Sequence, residues 1–361
     1  MAKINIVIAD SDELYLNHLT NYLIENMSTF EVCSFTTKES LIKYVGDKSN
    51  KIDIIAFTED LMDGTISVAT APAKILLSDG SFTELEFESV NKFQKAEKFI
   101  NDILMIYAEK TGRVEAVSTG DKETKIIGFF SPVGGCGKTT LALATAYAIA
   151  QQGKRVFYLN AEKLNSTYTV LNEANDGNLS DLYLTVKTKG ANIGLRIIAN
   201  KYTDLNTNIS YINPAESSLE INELTLDEFR KLLGEFEHLG EFDVVIVDFD
   251  SEFNKDKIEI LKCTDKIIVP FTTDGIAMTK IGLYIKELGM YDELSEILDK
   301  SVFALNKSNA QSVSVLQSSG ILGNCEVTAN IALSPVFADL KNVLNSGSMV
   351  LQVMAKVIEQ I

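Results

Sequence analysis

The run Ser131-Pro-Val-Gly-Gly-Cys-Gly-Lys-Thr-Thr140 decides how the chain folds. It joins an apolar stretch, Lys125–Phe130, to an Ala- and Leu-rich stretch that begins near Thr139. Strand, glycine-rich turn and helix form the context that a phosphate-binding loop requires. Glycines without Cβ atoms let backbone N–H groups close around phosphate oxygens, the next helix points its positive end at the same anion, and Lys138 reaches the terminal phosphates. Thr139 is placed to put its hydroxyl on Mg²⁺. The strict pattern G-x-x-x-x-G-K-[ST] is not met, because Pro132 stands six residues before Lys138 where glycine is required. That departure selects among nucleotide-binding families.

At 361 residues the chain is long enough for two domains, each with its own core. Its hydrophobic fraction of 46% is ordinary for a globular protein, and a formal net charge of −17 argues against broad contact with a phosphate backbone. No nucleic-acid partner is expected. The longest apolar segments, such as Leu141 to Ala150, fall short of the roughly 20 residues a bilayer span needs, so no integral membrane segment is expected. The start reaches Asp10 too early for a secretory signal, and a cytoplasmic protein is expected. Cys33, Cys136, Cys263 and Cys325 show no C-x-x-C spacing, and only His18 and His238 are present, so neither a disulfide framework nor a zinc site is suggested. Cys136 fills the variable position of the loop.

The first half alternates short apolar runs with amphipathic stretches. Ile4–Ala9, Phe30–Phe35, Ile52–Phe57 and Lys74–Leu77 read as strands, and Lys92–Tyr107 as a helix. Asp10 with Glu13 reads as a capping-box-like helix start. The βαβ rhythm implies a parallel sheet covered on both faces. Residues 113–124 lack apolar periodicity and read as a linker between a domain at 1–112 and a second at 125–361. In the second half Arg155–Leu159, Phe242–Asp248, Lys266–Pro270 and Ser301–Asn306 read as further strands of a sheet with at least five parallel strands. The apolar run ending in Asp248 suits a buried strand that delivers a carboxylate to a Mg²⁺ shell. Thr225-x-x-Glu228 is a capping box for the helix before it.

The first half resembles a response-regulator receiver domain, with Asp10 ending the first strand, Ser78 after the fourth and Lys92 near the fifth. The resemblance implies a flavodoxin-like fold. Thr58 stands where the phospho-accepting Asp of such domains belongs, and Ser11 where a second acid is expected. A threonine lacks the carboxylate nucleophile, so the usual phosphotransfer is expected to fail. Glu59, Asp60 and Asp63 lie in the following loop.

The second half resembles the MinD/ParA superfamily, whose deviant loop reads K-G-G-x-G-K-T-T, followed by an acid-x-acid pair, an Asp and an Asn-[Arg/Lys]. Here those positions are Val133 to Thr140, Asn160-Ala-Glu162, Asp248 and Asn306-Lys307. The resemblance implies an α/β P-loop NTPase with a mostly parallel, doubly wound sheet, which binds ATP and Mg²⁺ as a sandwich homodimer. Gly134, Gly135, Cys136, Gly137, Lys138, Thr139 and Thr140 would hold the phosphates, with Thr140 on the α-phosphate. Thr139 and Asp248 would hold Mg²⁺, Asn306 would read the adenine edge, and Lys307 beside it would belong to the nucleotide site. Glu162 would position the attacking water, while Asn160 replaces the second acid. The family's first loop lysine, which crosses to the partner's phosphates, is Val133 here, so slow hydrolysis is expected.

A degenerate receiver joined to a MinD-like domain resembles proteins of TadZ/CpaE type, which localise Tad pilus assembly machinery. The resemblance implies other assembly proteins as partners of the first half, and recruitment to a membrane-associated assembly at a cell pole. The alternative is an active ATPase cycling on a surface. The stretch Gly347 to Ile361 is apolar at helical spacing but lacks a basic polar face, and reads as a core-packing helix.

Overall fold

The computed structural model describes residues 3–26, 30–79, 87–94, 96–111, 124–171, 177–188, 192–323, 325–333, 354 and 358. The expected linker lies outside these residues except for Thr124, as does most of the expected C-terminal helix. Two compact units form: Met1–Asp121 with Leu184–Asn200, and Lys122–Tyr183 with Lys201–Ile361.

In the first unit β1 (Ile4–Ala9), β2 (Phe30–Phe35), β3 (Ile54–Thr58), β4 (Ala73–Ser78) and β5 (Glu88–Asn91) form a parallel sheet in the order β2-β1-β3-β4-β5. This is the order of doubly wound sheets of flavodoxin type. The helices are α1 (Glu13–Asn26), α2 (Lys38–Gly46), α3 (Gly64–Val68) and α4 (Ala96–Thr111). β1 and β3 lie inside the sheet and are almost wholly buried, which is why they read as continuous apolar runs.

Two local expectations change. Asp12, not Asp10, sits before α1 and accepts the Tyr15 N–H at 3.0 Å. Asp10 is drawn away by the Lys92 ammonium, 2.7 Å from its Oδ2. The helix expected from Lys92 begins instead at Ala96, because Lys92 follows the short strand β5. The helix Ile193–Asn200 packs on α4 and belongs with this unit, although the chain reaches it only after entering the second.

The second unit is built on β6 (Lys125–Phe129), β7 (Val156–Ala161), β8 (Tyr202–Thr203), β9 (Ile209–Tyr211), β10 (Val244–Phe249), β11 (Lys266–Phe271), β12 (Ser301–Ser308) and β13 (Val327–Ala332). Their order is β13-β12-β11-β6-β10-β7-β9-β8, parallel throughout except for β8 against β9. The helices that follow in the chain are α5 (Lys138–Ala150), α6 (Leu179–Lys187, whose end from Leu184 falls in the first unit), α7 (the Ile193–Asn200 helix of the first unit described above), α8 (Leu226–Leu239), α9 (Lys255–Lys262), α10 (Gly275–Met290), α11 (Asp292–Lys300) and α12 (Ala310–Ser319).

The strand order locates the site. After β6 the chain adds β7 and β10 on one side, then crosses to place β11 and β12 on the other. Ligands of open α/β sheets bind outside the carboxyl ends of strands at such a reversal, and the glycine-rich loop leaves β6 at that point. α5 is buried along nearly its whole length, as its all-round apolar sequence requires, and joins a core that includes Ile127, Phe129, Tyr158 and Ile246. Met354, from the apolar C-terminal stretch, is part of this core, with Ile358 packed against it. The capping box forms as expected, with Glu228 N donating to Thr225 Oγ1 at 3.3 Å and Thr225 N donating to Glu228 Oε2 at 2.8 Å.

Candidate functional site

Two glycines shape the loop after β6. Gly135 and Gly137 have φ of +70° and +95°, a region that side-chain-bearing residues rarely enter. Gly137 also caps α5, and a Cβ there would fall on the side-chain nitrogen of Asn306. The first turn of α5 therefore presents free N–H groups toward the cleft, the arrangement that binds anions. Gly135, Gly137, Lys138, Thr139, Thr140, Glu162, Asn306 and Lys307 line a cleft of about 310 Å³. Eight of the sequence-predicted site residues thus line one cleft at the ends of β6, β7 and β12, whereas Gly134, Cys136, Asn160 and Asp248 are not among its lining residues.

Lys138 is buried, and its Nζ donates to Ser251 Oγ at 2.7 Å. Ser251, just beyond β10, lies within 3.4 Å of the Val133 carbonyl. Sequence reasoning did not find Ser251, whose contact with Lys138 spans 113 positions and leaves no local pattern. Val133 is itself buried, an apolar side chain held inside the loop. Cys136 is buried as well, and burial pushes its thiol above the ordinary range, against the opposing effects of Ser131 and Lys138.

β10 delivers Asp248 beneath the loop with no exposed surface. Its Oδ2 accepts from the Tyr158 hydroxyl at 2.9 Å, whereas Oδ1 has no hydrogen-bond partner. Burial, reinforced by the charge of Glu162, pushes the Asp248 carboxyl up to about 7, against the opposing effects of the Thr139 and Tyr158 hydroxyls. Burial and the charge of Asp248 hold the Tyr158 phenol well above its ordinary value. A buried carboxylate oxygen without a partner, beside a threonine hydroxyl at a helix N-terminus, fits a hard divalent cation that carries phosphate oxygens. Among the described residues no cluster of three His, Cys, Asp or Glu is arranged to hold a metal alone. A cation here would draw its remaining ligands from phosphate and water, the usual habit of Mg²⁺.

β7 ends in Asn160-Ala161, and Glu162 follows directly. Glu162 Oε2 lies 3.4 Å from Thr139 Oγ1, and burial raises its carboxyl while the Lys138 charge and the Thr139 hydroxyl oppose the rise. Asn160 turns inward, its Oδ1 accepting the Glu162 N–H at 2.9 Å. It therefore fixes the turn that presents Glu162. From β12, Asn306 Nδ2 donates to the Cys136 carbonyl at 2.8 Å and Lys307 Nζ to the Gly135 carbonyl at 2.8 Å.

Residues 124–299 match a family model described as an AAA domain. Comparison with curated proteins gives no match. Among solved structures, the chain is similar to the MinC:MinD cell division protein complex of Aquifex aeolicus, at 18% identity and TM-score 0.52, over 66% of this chain and 95% of that one. It is also similar to a ParA family ATPase of Chlorobium tepidum, at 15% identity and TM-score 0.51, over 64% and 96%. A third match is a complex of McdA with ATP, from Cyanothece, at 14% identity and TM-score 0.51, over 66% and 96%. The second unit has the MinD/ParA fold.

The raised Asp248 carboxyl makes a pH prediction for the MinD/ParA-fold unit. The native state holds this proton more tightly than the unfolded chain, so the group's contribution to stability is present at low pH and is lost as pH rises from about 4 through about 7. In magnesium-free buffer Asp248→Asn should therefore raise the melting temperature at pH 8, by roughly 2–4 °C for each kcal/mol of relieved burial, with the gain shrinking toward pH 4. An equal effect at both ends of that range would contradict the buried, raised carboxyl.

Proposed function

We propose that the second unit binds Mg-ATP in the cleft at the N-terminus of α5, and that nucleotide-bound copies pair into a homodimer that acts as a scaffold with slow ATP hydrolysis. The observation that carries this reading is the unpartnered Asp248 oxygen set beside Thr139, under a loop whose backbone is fixed by Gly135 and Gly137. In it the N–H groups of residues 134–140 bind phosphate oxygens, Lys138 places positive charge on the terminal phosphates, and Thr139 with Asp248 holds the metal. Bound Mg²⁺ supplies neutralisation of the phosphate charge. Glu162, presented by Asn160, orients a water toward the cleft. The ATP named with the McdA structure supports the choice of nucleotide.

Slow hydrolysis rests on what the site lacks in charge. Asn160 brings no carboxylate and uses its oxygen on the backbone. Val133 is apolar and buried where the resembling family carries its crossing lysine. A preorganised donor aimed at developing charge is worth about 10² to 10³ in rate.

We further propose that the first unit is a receiver-like docking module and that the whole chain localises Tad-type pilus assembly machinery at a membrane-associated site. The β2-β1-β3-β4-β5 order and the Asp10–Lys92 pair support receiver-like ancestry. Thr58 ends β3 buried, its hydroxyl without a partner, and supplies no carboxylate for phosphorylation. Among the described residues no helix is long and apolar enough to cross a membrane.

Light scattering with a parallel phosphate-release assay tests the scaffold. Mg-ATP should convert wild type to a dimer with negligible turnover, and Lys138→Ala should stay monomeric. Rapid turnover would favour a cycling ATPase instead. For the first unit, incubation with acetyl phosphate should leave the chain unlabelled by intact-mass measurement. A stable acyl-phosphate on Glu59 or Asp60 would contradict the docking-module reading.

A further inference from the structure

The three residues that follow Phe249 at the end of β10 are each met by a lysine from a different part of the second unit. Lys257, in the first turn of α9, places its Nζ 3.2 Å from Asp250 Oδ1. Lys163, just beyond β7, pairs with Glu252 at 2.7 Å. Between them Lys138, from the start of α5, donates to Ser251 Oγ at 2.7 Å. The outer two pairs differ in weight. Lys163 and Glu252 are about half exposed, and water screens their attraction. The Lys257 and Asp250 side chains are only 12% and 23% exposed, and the ammonium lies 4.6 Å from the centre of the Phe249 ring. Glu252 N also donates to Asp250 Oδ1 at 3.1 Å, which closes the turn around Ser251.

We propose that Ser251 is a positioning residue for Lys138, whose buried ammonium it holds in place with two N–H groups left for the terminal phosphates of the nucleotide. This rests on the Mg-ATP reading given above and concerns a residue outside the phosphate-loop motif.

Three observations converge. An ammonium has three donors and no acceptor, and among the described residues Ser251 Oγ is the one hydrogen-bond acceptor that Lys138 Nζ meets. A lysine that is 7% exposed has lost most of its water, so a single fixed acceptor decides where its charge sits. The serine is itself oriented. Its one hydrogen points to the Val133 carbonyl at 3.4 Å, which leaves a lone pair for the ammonium. Lys138 lines the nucleotide cleft whereas Ser251 does not, so the hydroxyl acts on the ligand through the lysine. A charge already aimed at the phosphates needs no reorganisation when they arrive. Without the hydroxyl, the ordering of the four-carbon lysine stem falls on nucleotide binding.

The test titrates wild type, Ser251→Ala and Ser251→Thr with Mg-ATP by calorimetry, and follows nucleotide-free thermal melts of wild type and Ser251→Ala, each also in a Lys138→Met background. Ser251→Ala is expected to weaken Mg-ATP about tenfold, the size of one lost charge-assisted hydrogen bond, and Ser251→Thr, which keeps the hydroxyl, to stay within about threefold of wild type. In the melts Ser251→Ala should lower the midpoint of the chain that carries Lys138 and spare the chain that carries the Lys138→Met change, because no ammonium is left there to satisfy. Equal lowering in both backgrounds would make Ser251 a structural residue of the turn and overturn the proposal. Unchanged Mg-ATP affinity in Ser251→Ala, with wild type binding, would overturn it too. Should Ser251→Ala fail to fold, Ser251→Thr and Ser251→Val, which share a shape and differ in the hydroxyl, make the same comparison, and equal affinity of that pair would overturn it. Failure of wild type to bind Mg-ATP is a different result, which removes the Mg-ATP reading and the proposal with it.

Discussion

A carboxylate without exposed surface, with one oxygen bonded to Tyr158 and the other to nothing, is the constraint around which the second unit is arranged. Burying an ion in that state is expensive, and a protein retains it only where a cation or proton compensates. Asp248 lies on β10, beside β6, whose loop curls over it, and beside β7, which brings Tyr158 and Glu162 to the same edge. Moving β10 by one position would turn the carboxylate to the opposite face.

The loop above Asp248 is held from three directions. Gly135 and Gly137 provide backbone angles that other residues avoid, Ser251 fixes the Lys138 ammonium, and Asn306 with Lys307 ties down two carbonyls. These contacts come from β10 and β12, on opposite sides of β6. The strand reversal at β6 is therefore what allows one short loop to be gripped from both sides.

Much of this was legible in the sequence because the deciding features are local. The order strand, glycines, Lys138 and helix states a phosphate loop within ten residues, and the fully apolar run before Asp248 states a buried parallel strand. The capping box at Thr225 and Glu228 is equally local and forms as read. Features set by distant partners were not legible. Asp10 looked like a helix cap until Lys92, 82 positions away, claimed its carboxylate. Ser251 carries no motif. The helix Ile193–Asn200 has an ordinary apolar pattern, and nothing in that pattern says it belongs with α4 of the first unit. The short strands β8 and β9 carry too few residues for a period to show.

Two α/β units with different chemical endowments share the chain. In the first, the acid at the end of β1 is neutralised by the chain's own lysine. In the second, the acid on β10 has an oxygen left for a cation. That contrast points to the second unit as the one with a place for a cation. Calorimetric titration of the full chain with ATP, in magnesium and in EDTA, tests this most directly. The account predicts one site per chain that binds tightly with magnesium and at least about tenfold more weakly without it, as expected when a buried carboxylate needs the cation as its partner. Binding of equal strength in EDTA, or no binding in either buffer, would contradict it.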